Sequence, residues 1–313
     1  MVDRMYRSAT RLPDGVLGMA QRGPDWARWV ERLPGRLATL LEEWELTPDG
    51  WSMHGYCSIV VPVRTSVGDE AVLKVAFDVD EESEHEHLVL RHWAGSGAVR
   101  LLRADPHRRA MLLERLHHED LTTVPDLEAC EVVASLYPRL HLRALPQLRT
   151  VTSYVERWSA ALATAPRSAP IPRRMVEQAL SLARDLVADP ASTGVIVHGD
   201  LHYLNVLAAD REPWLVIDPK PMSGDPHFEL APMLWNRMEE LGDAVRAGVR
   251  RRFYTLVDAA GLDEARARDW VIVRMVLNAH WAVEDAQRAE RDLSADEREW
   301  ITSCIAIVKA VQD

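Results

Sequence analysis

The sequence predicts an α+β chain in two lobes, a small antiparallel-sheet lobe followed by a mostly helical one. Three observations carry this prediction. Short β-rich runs gather between residues 51 and 114, around a single charged helix. Helical spacing of apolar residues dominates from about residue 120 onward. A polar stretch at 198–205, followed by a short apolar strand at 214–217, then interrupts the helices.

Residues 24–46 place Trp26, Trp29, Leu33, Leu37, Leu40, Leu41 and Trp44 at helical spacing. Pro34-Gly35 falls inside this pattern, so two short helices are expected in place of one. Tryptophans at this spacing read as core. Runs 58–63 and 71–77 then read as strands around a turn at 66–69. A charged helix with Glu86, Leu90 and Trp93 on one face comes next. Runs 99–103 and 110–114 supply two more strands around a turn at Asp105-Pro106. This order sets the lobe boundary at Leu116, giving lobes of 1–116 and 117–313. The Ala/Pro-rich stretch 165–172 is too short to link domains and reads as a loop between helices.

With 47% hydrophobic and 27% charged residues, the chain has the composition of an ordinary globular protein. No run approaches the ~18 apolar residues of a membrane span. The N-terminal stretch 1–7 lacks the apolar core of a signal peptide, so a cytoplasmic location is expected. Cys57, Cys130 and Cys304 are too far apart to suggest a disulfide framework or a zinc site. The histidines at 85, 87, 117 and 118 lack the spacing of a known ligand set. A net charge of -11 argues against nucleic acid or an anionic membrane as the main partner, and suits a small cationic molecule. Only three of the 37 basic residues are lysines, Lys74, Lys220 and Lys309. A lysine retained against that bias merits attention, because ammonium and guanidinium are not interchangeable at a tight phosphate site.

The chemistry concentrates in His198-Gly199-Asp200-Leu201-His202-Tyr203-Leu204-Asn205, followed by Ile217-Asp218. Asp200 can accept a proton from a hydroxyl. Asn205 offers an amide oxygen to a magnesium ion, and Asp218 follows a short strand with a second metal ligand. That is the order of a kinase catalytic loop, H-x-D-x-x-x-x-N, and its metal-binding Asp. With the element order, it predicts a two-lobed protein-kinase-like fold that uses ATP and Mg²⁺. His198 and His202 are expected to brace the loop, and Asp225 and Glu229 to stabilise the segment after it. Lys74 lies inside an apolar strand, where an unpaired ammonium is costly, so it needs anions such as phosphate oxygens and a carboxylate.

The stretch His198-Gly199-Asp200-x-His202-x-x-Asn205 with Ile217-Asp218 resembles the signature of the aminoglycoside phosphotransferase family. Residues 217–226, continuing into Phe228-Glu229-Leu230-Ala231-Pro232, are similar to its streptomycin 6-kinase and hydroxyurea kinase branch, as is Asn278-Ala279-His280-Trp281-Ala282-Val283-Glu284-Asp285. The resemblance implies an ATP-dependent O-phosphotransferase acting on a small hydroxylated acceptor, an aminoglycoside such as streptomycin. Hydroxyurea or another small metabolite is the alternative acceptor, and a nucleotide-binding pseudokinase the alternative class. The resemblance further implies that Glu86 is the carboxylate partner of Lys74. The reduced phosphate loop is read at Gly55 and Ser58, with Gly55 supplying a sharp turn. Backbone groups between Glu114 and Leu116 are expected to meet adenine, and Trp281, Glu284 and Asp285 to contact the acceptor.

Overall fold

The computed structural model describes residues 12–166 and 168–312. The N-terminal stretch 1–7, on which the cytoplasmic expectation rests, lies outside them. The chain divides into two compact units, one running through His117 and taking in Ala209–Arg211, the other formed by His118–Ala208 and the chain from Glu212 onward.

In the first unit, α1 (Asp14–Met19) and α2 (Pro24–Glu43) precede the sheet. Here the expected break does not occur. One helix of 20 residues runs through Pro34 and Gly35. Proline costs a helix interior about 3 kcal/mol. Trp29, Val30, Leu33, Leu37, Leu40 and Leu41 are all buried along α2, and burying such side chains contributes about 1.5–3 kcal/mol each. Packing therefore outweighs the local preference. Trp26 stacks on Phe77 with ring centroids 3.7 Å apart. The Trp29 indole N–H donates to Ala76 O at 3.1 Å.

The sheet consists of β1 (Thr47–Pro48), β2 (Met53–His54), β3 (Ser58–Arg64), β4 (Glu70–Ala76), β5 (Leu101–Asp105) and β6 (Ala110–Glu114). Its order is β1-β3-β4-β6-β5, with β2 also pairing β3, and every pairing is antiparallel. Successive strand side chains alternate between faces. Ala71, Leu73 and Val75 of β4 accordingly join the core beneath α2. Lys74 takes the opposite face. Helix α3 (Glu86–Trp93) buries Glu86, Val89, Leu90 and Trp93. Arg211 belongs to this unit, donating to Gly95 O and Ala98 O at 2.6 Å each and to the Glu114 carboxylate. A single cut at Leu116 does not anticipate that return of the chain.

The second unit is mostly helical: α4 (Asp126–Leu140), α5 (Val151–Ala163), α6 (Arg173–Ala188), α7 (Ala231–Trp235), α8 (Val245–Ala260), α9 (Glu264–Arg288) and α10 (Ala295–Gln312). Set among them are β7 (Val195–Val197), β8 (Val206–Ala208), β9 (Trp214–Val216) and β10 (Met222–Gly224). β7 pairs β10 and β8 pairs β9, both antiparallel. The two ladders bring the 198–205 loop beside the 217–221 loop. Among the described residues, no helix is long and apolar enough to cross a membrane.

Replacing Pro34 with Ala restores a hydrogen-bond donor within α2. The variant is expected to gain about 1–3 kcal/mol of unfolding free energy, read from urea denaturation. A loss of stability would mean that the fold requires the proline.

Candidate functional site

In the first unit, Lys74 Nζ lies 2.7 Å from both oxygens of Glu86. Lys74 is 5% exposed and Glu86 1%, so each ion is held by a buried partner. Removing either partner would strand a buried charge, at a cost of about 3–5 kcal/mol. Glu84, the other acid at this helix start, is exposed.

Gly55 donates its N–H to Ser58 O at 3.0 Å. It does not use the left-handed region, which is occupied by other glycines. It opens the tight turn between β2 and β3, and a Cβ there would lie 3.2 Å from Ser58 Oγ. At the other end of the sheet, the Glu114 N–H donates to Arg100 O at 3.0 Å. Its carboxylate accepts from Arg211 and from Arg100 N. Leu116 is half-buried and follows Arg115, whose guanidinium binds Val63 O at 2.7 Å and Asp49 at 2.9 Å.

In the second unit, the 198–205 loop is built around one peptide. Gly199 has φ +83, and a Cβ would lie 2.3 Å from Lys220 O. No other residue meets both conditions without strain. The Gly199 N–H donates to buried Glu229 at 2.9 Å, and buried Arg274 donates to Gly199 O. Arg274 also donates to Phe228 O at 2.9 Å and lies over the Phe228 ring. His198 Nε2 meets Ile217 O at 2.9 Å, and Lys220 N donates to His198 O at 2.7 Å. These bonds stitch the two loops together. Burial pushes the His198 imidazole down to about 3, keeping it neutral for this role.

Asp200 follows the clamped peptide. Burial pushes its carboxyl up to about 6, the Asp218 charge adds to the rise, and Arg274 and Lys220 oppose it. Asn205 Nδ2 donates to Asp200 O at 2.8 Å and lies 3.2 Å from His202 Nε2. Those contacts turn the amide nitrogen inward and leave Oδ1 for a cation. Between them, Tyr203 donates to Asp126 at 2.7 Å, and Asp126 in turn pairs with fully buried Arg252 at 2.9 Å. The far end of the loop is thus tied to α4 and α8.

Asp218 has φ +55, an uncommon conformation for a residue with a side chain. Lys220 Nζ lies 3.4 Å from each Asp218 oxygen. A cation thus already faces this carboxylate. The set of one carboxylate and one amide oxygen suits a hard cation such as Mg²⁺, which takes oxygen ligands. Asp225 caps the next turn, accepting from His227 N at 3.0 Å and Trp270 Nε1 at 2.7 Å.

Trp281 and Glu284 lie one turn apart on α9, and Trp281 packs against Trp158 and Tyr154 of α5. Asp285, also within about one turn of Trp281, is 62% exposed and pairs with Arg288 at 3.2 Å, whereas Glu284 is 31% exposed. Residues three and four apart share a helix face, so exposure and not direction separates the two acids. Sequence reasoning passed over Lys220, although its survival in a lysine-poor chain was a signal. It also passed over Arg274, a lone cation in the apolar run 270–277.

Residues 43–286 match the family described as aminoglycoside/hydroxyurea antibiotic resistance kinase. The chain is 41% identical over 277 residues to a streptomycin 6-kinase of Streptomyces glaucescens, covering 85% of this chain and 88% of that one. It is also 41% identical over 282 residues to a hydroxyurea phosphotransferase of Kitasatospora aureofaciens, covering 86% and 79%. In fold it is similar to the apo crystal structure of a thermostable mutant of aminoglycoside phosphotransferase APH(4)-Ia, with TM-score 0.59, 17% identity and coverage of 87% and 98%.

Gly199→Ala should lose at least about 2 kcal/mol of stability, combining backbone strain with overpacking. Thermal melting reads the loss. An unchanged melting temperature would show that the Gly199 peptide is not held as described.

Proposed function

This chain belongs to the aminoglycoside/hydroxyurea antibiotic resistance kinase family and is a phosphotransferase that acts on a hydroxyl group of a small molecule, and on that premise we propose that it transfers the γ-phosphoryl group of ATP to streptomycin. The observation that carries the catalytic part is the clamped loop of Asp200, closed by the Asn205 amide on Asp200 O and bonded through Asn205 O to Ile217, the residue before Asp218. The acidic balance of the chain favours a cationic acceptor. A hydroxyurea acceptor is the second reading, favoured by the equally identical relative of that name.

In this reading Asp200 holds the acceptor hydroxyl and takes its proton as the oxygen attacks phosphorus. The new P–O bond forms as the bond to the leaving ADP oxygen breaks. Asn205 Oδ1 and the Asp218 carboxylate would hold Mg²⁺, which when bound neutralises phosphate charge. Lys74, oriented by Glu86, anchors the inner phosphates. Gly55 and Ser58 approach the phosphates, and the backbone near Leu116 lies against adenine. Lys220 keeps positive charge beside Asp218. Catalysis is then mainly positioning and charge neutralisation. An enzyme working on an antibiotic that has entered the cell belongs in the cytoplasm.

Asp200→Asn is expected to lower turnover by about a hundredfold to ten-thousandfold while leaving ATP affinity within a few-fold. Steady-state kinetics with streptomycin and calorimetric titration of an ATP analogue measure the two quantities. Retention of more than about a tenth of the parental rate would remove Asp200 as the base.

Asp218→Ala should abolish the magnesium dependence of nucleotide binding. Lys74→Arg should weaken it despite the retained charge, because the planar guanidinium does not fit a site built around a compact ammonium. Titrations with and without magnesium test both. Parental affinity and turnover in Lys74→Arg would show that Lys74 does not anchor phosphate.

A further inference from the structure

Lys220 stands at the carboxylate that would hold the metal. Its Nζ lies 3.4 Å from each oxygen of Asp218. A divalent ion on that carboxylate would repel the ammonium twice as strongly as a univalent one at the same distance. Metal binding therefore drives the ammonium away from Asp218, and none of the steps above gives it a task afterwards.

The backbone does not move with it. Lys220 lies between Pro219 and Pro221. A proline ring fixes its own φ and restricts the residue before it as well. The Lys220 N–H donates to His198 O at 2.7 Å, and Lys220 O closes on Gly199. Only the four-carbon stem is left to swing. The side chains of Asp200, Asp218 and Lys220 are 34%, 33% and 19% exposed, so none of the three is sealed in the core.

Two carboxylates act on this ammonium. Burial pushes the Asp200 carboxyl up, and Arg274 and then Lys220 draw it back. Lys220 is thus within electrostatic reach of the base and of the metal ligand at once. In phosphoryl transfer the group in flight passes between the hydroxyl that the base serves and the phosphates that the metal holds, with charge spread over its three equatorial oxygens. That charge is the anion an ammonium displaced from Asp218 would meet. The residue type agrees. Only three of the 37 basic residues are lysines. A guanidinium is a rigid planar fork, whereas an ammonium is a compact charge on a flexible stem, able to exchange one anion for another.

We propose that Lys220 is a catalytic residue with two positions: it pairs with Asp218 before the metal binds, and once displaced it donates hydrogen bonds to the phosphoryl group in transfer. It gives up no proton. The acceptor oxygen bonds to phosphorus, the bond to the ADP oxygen breaks, and the acceptor's proton goes to Asp200. This inference rests on the kinase reading given above and not on which acceptor is used.

The test titrates Mn²⁺ into the nucleotide-free full chain, followed by electron paramagnetic resonance. Turnover is measured with Mg²⁺-ATP and whichever of streptomycin and hydroxyurea the parent phosphorylates. Lys220→Met keeps the stem and removes the charge. It is expected to bind Mn²⁺ at least about tenfold more tightly than the parent, because a competing cation is gone. Its kcat at saturating substrates should fall about a hundredfold, as on removal of a donor to transition-state charge. Lys220→Arg keeps the charge, so it should bind Mn²⁺ as weakly as the parent and still lose at least about tenfold in kcat. Asp218→Ala should bind no Mn²⁺ at this site, and melting temperatures establish that each variant is folded. Parental or faster turnover in Lys220→Met would make Lys220 a counter-ion only and overturn the proposal. Slower turnover with unchanged Mn²⁺ affinity would overturn the exchange. If Lys220→Met does not fold, parental turnover in Lys220→Arg overturns the proposal. A parent that phosphorylates neither acceptor would overturn the function proposed above, and equal Mn²⁺ affinities of parent and Lys220→Met would then still overturn the exchange.

Discussion

The arrangement of the catalytic loops depends on how the Gly199 peptide is held. Glu229 takes its N–H, Arg274 takes the carbonyl, and Lys220 O closes on its α-carbon so tightly that no side chain fits. Glu229 is pushed up to about 7 by burial, against the pull of the Gly199 N–H and Arg274. Arg274 is buried too, so a guanidinium and a carboxyl face each other across a single peptide. Each group would be expensive there alone. Together they fix the peptide that precedes Asp200, and they do so from helices and turns that lie far apart in sequence. Holding a reactive carboxylate to within about 0.5 Å of a productive position requires this kind of support behind it.

The same economy governs Asp218. Its backbone adopts a conformation that side chains disfavour, which costs on the order of 1–3 kcal/mol and persists only where the surroundings dictate it. Those surroundings are the hydrogen bonds from Ile217 N to Asn205 O and from Lys220 N to His198 O, on either side of the strained residue. The Ile217 N–H bond to Asn205 O keeps the residue before Asp218 against the end of the 198–205 loop. Lys220 then offsets part of the negative charge of Asp218. With ATP present, an ammonium in that position would be drawn to phosphate as readily as to carboxylate.

The strands, the helix carrying Glu86 and the order of the catalytic residues could all be read from the sequence, because each is written in local spacing. Alternation set Lys74 apart from the core residues of β4, and the loop motif fixed the separation of Asp200 from Asn205. What could not be read depends on contacts between distant segments. Pro34 breaks an isolated helix, but nothing local announces that six buried side chains of α2 will hold it together. The Glu114 N–H is held by Arg100 O, a partner 14 residues away that no local pattern names. Adjacent acids such as Glu284 and Asp285 look alike in a sequence, and only the fold leaves one 31% and the other 62% exposed. Arg274 was the readable exception. A lone arginine in an apolar run must find acceptors, and its buried position names the loop that provides them.

Helix α9 connects these themes. It is a single helix of 25 residues, gripping Gly199 through Arg274 near its middle and presenting Trp281 and Glu284 two to three turns later. A helix is stiff over that length, so fixing one point on it fixes the other. The corner where α9 packs on α5 is therefore registered against the clamped loop without any flexible segment between them. Side chains on the later turns of α9, and on the facing turns of α5, can change while the clamp on Gly199 stays as it is. A family whose description joins aminoglycosides with so small a molecule as hydroxyurea is consistent with that division. Phosphoryl transfer requires one geometry of carboxylates and amide, whatever hydroxyl is presented. Residues ten apart on α9, as Arg274 and Glu284 are, lie about 15 Å from one another along the helix, so the support for that geometry is separate from the turns beyond it.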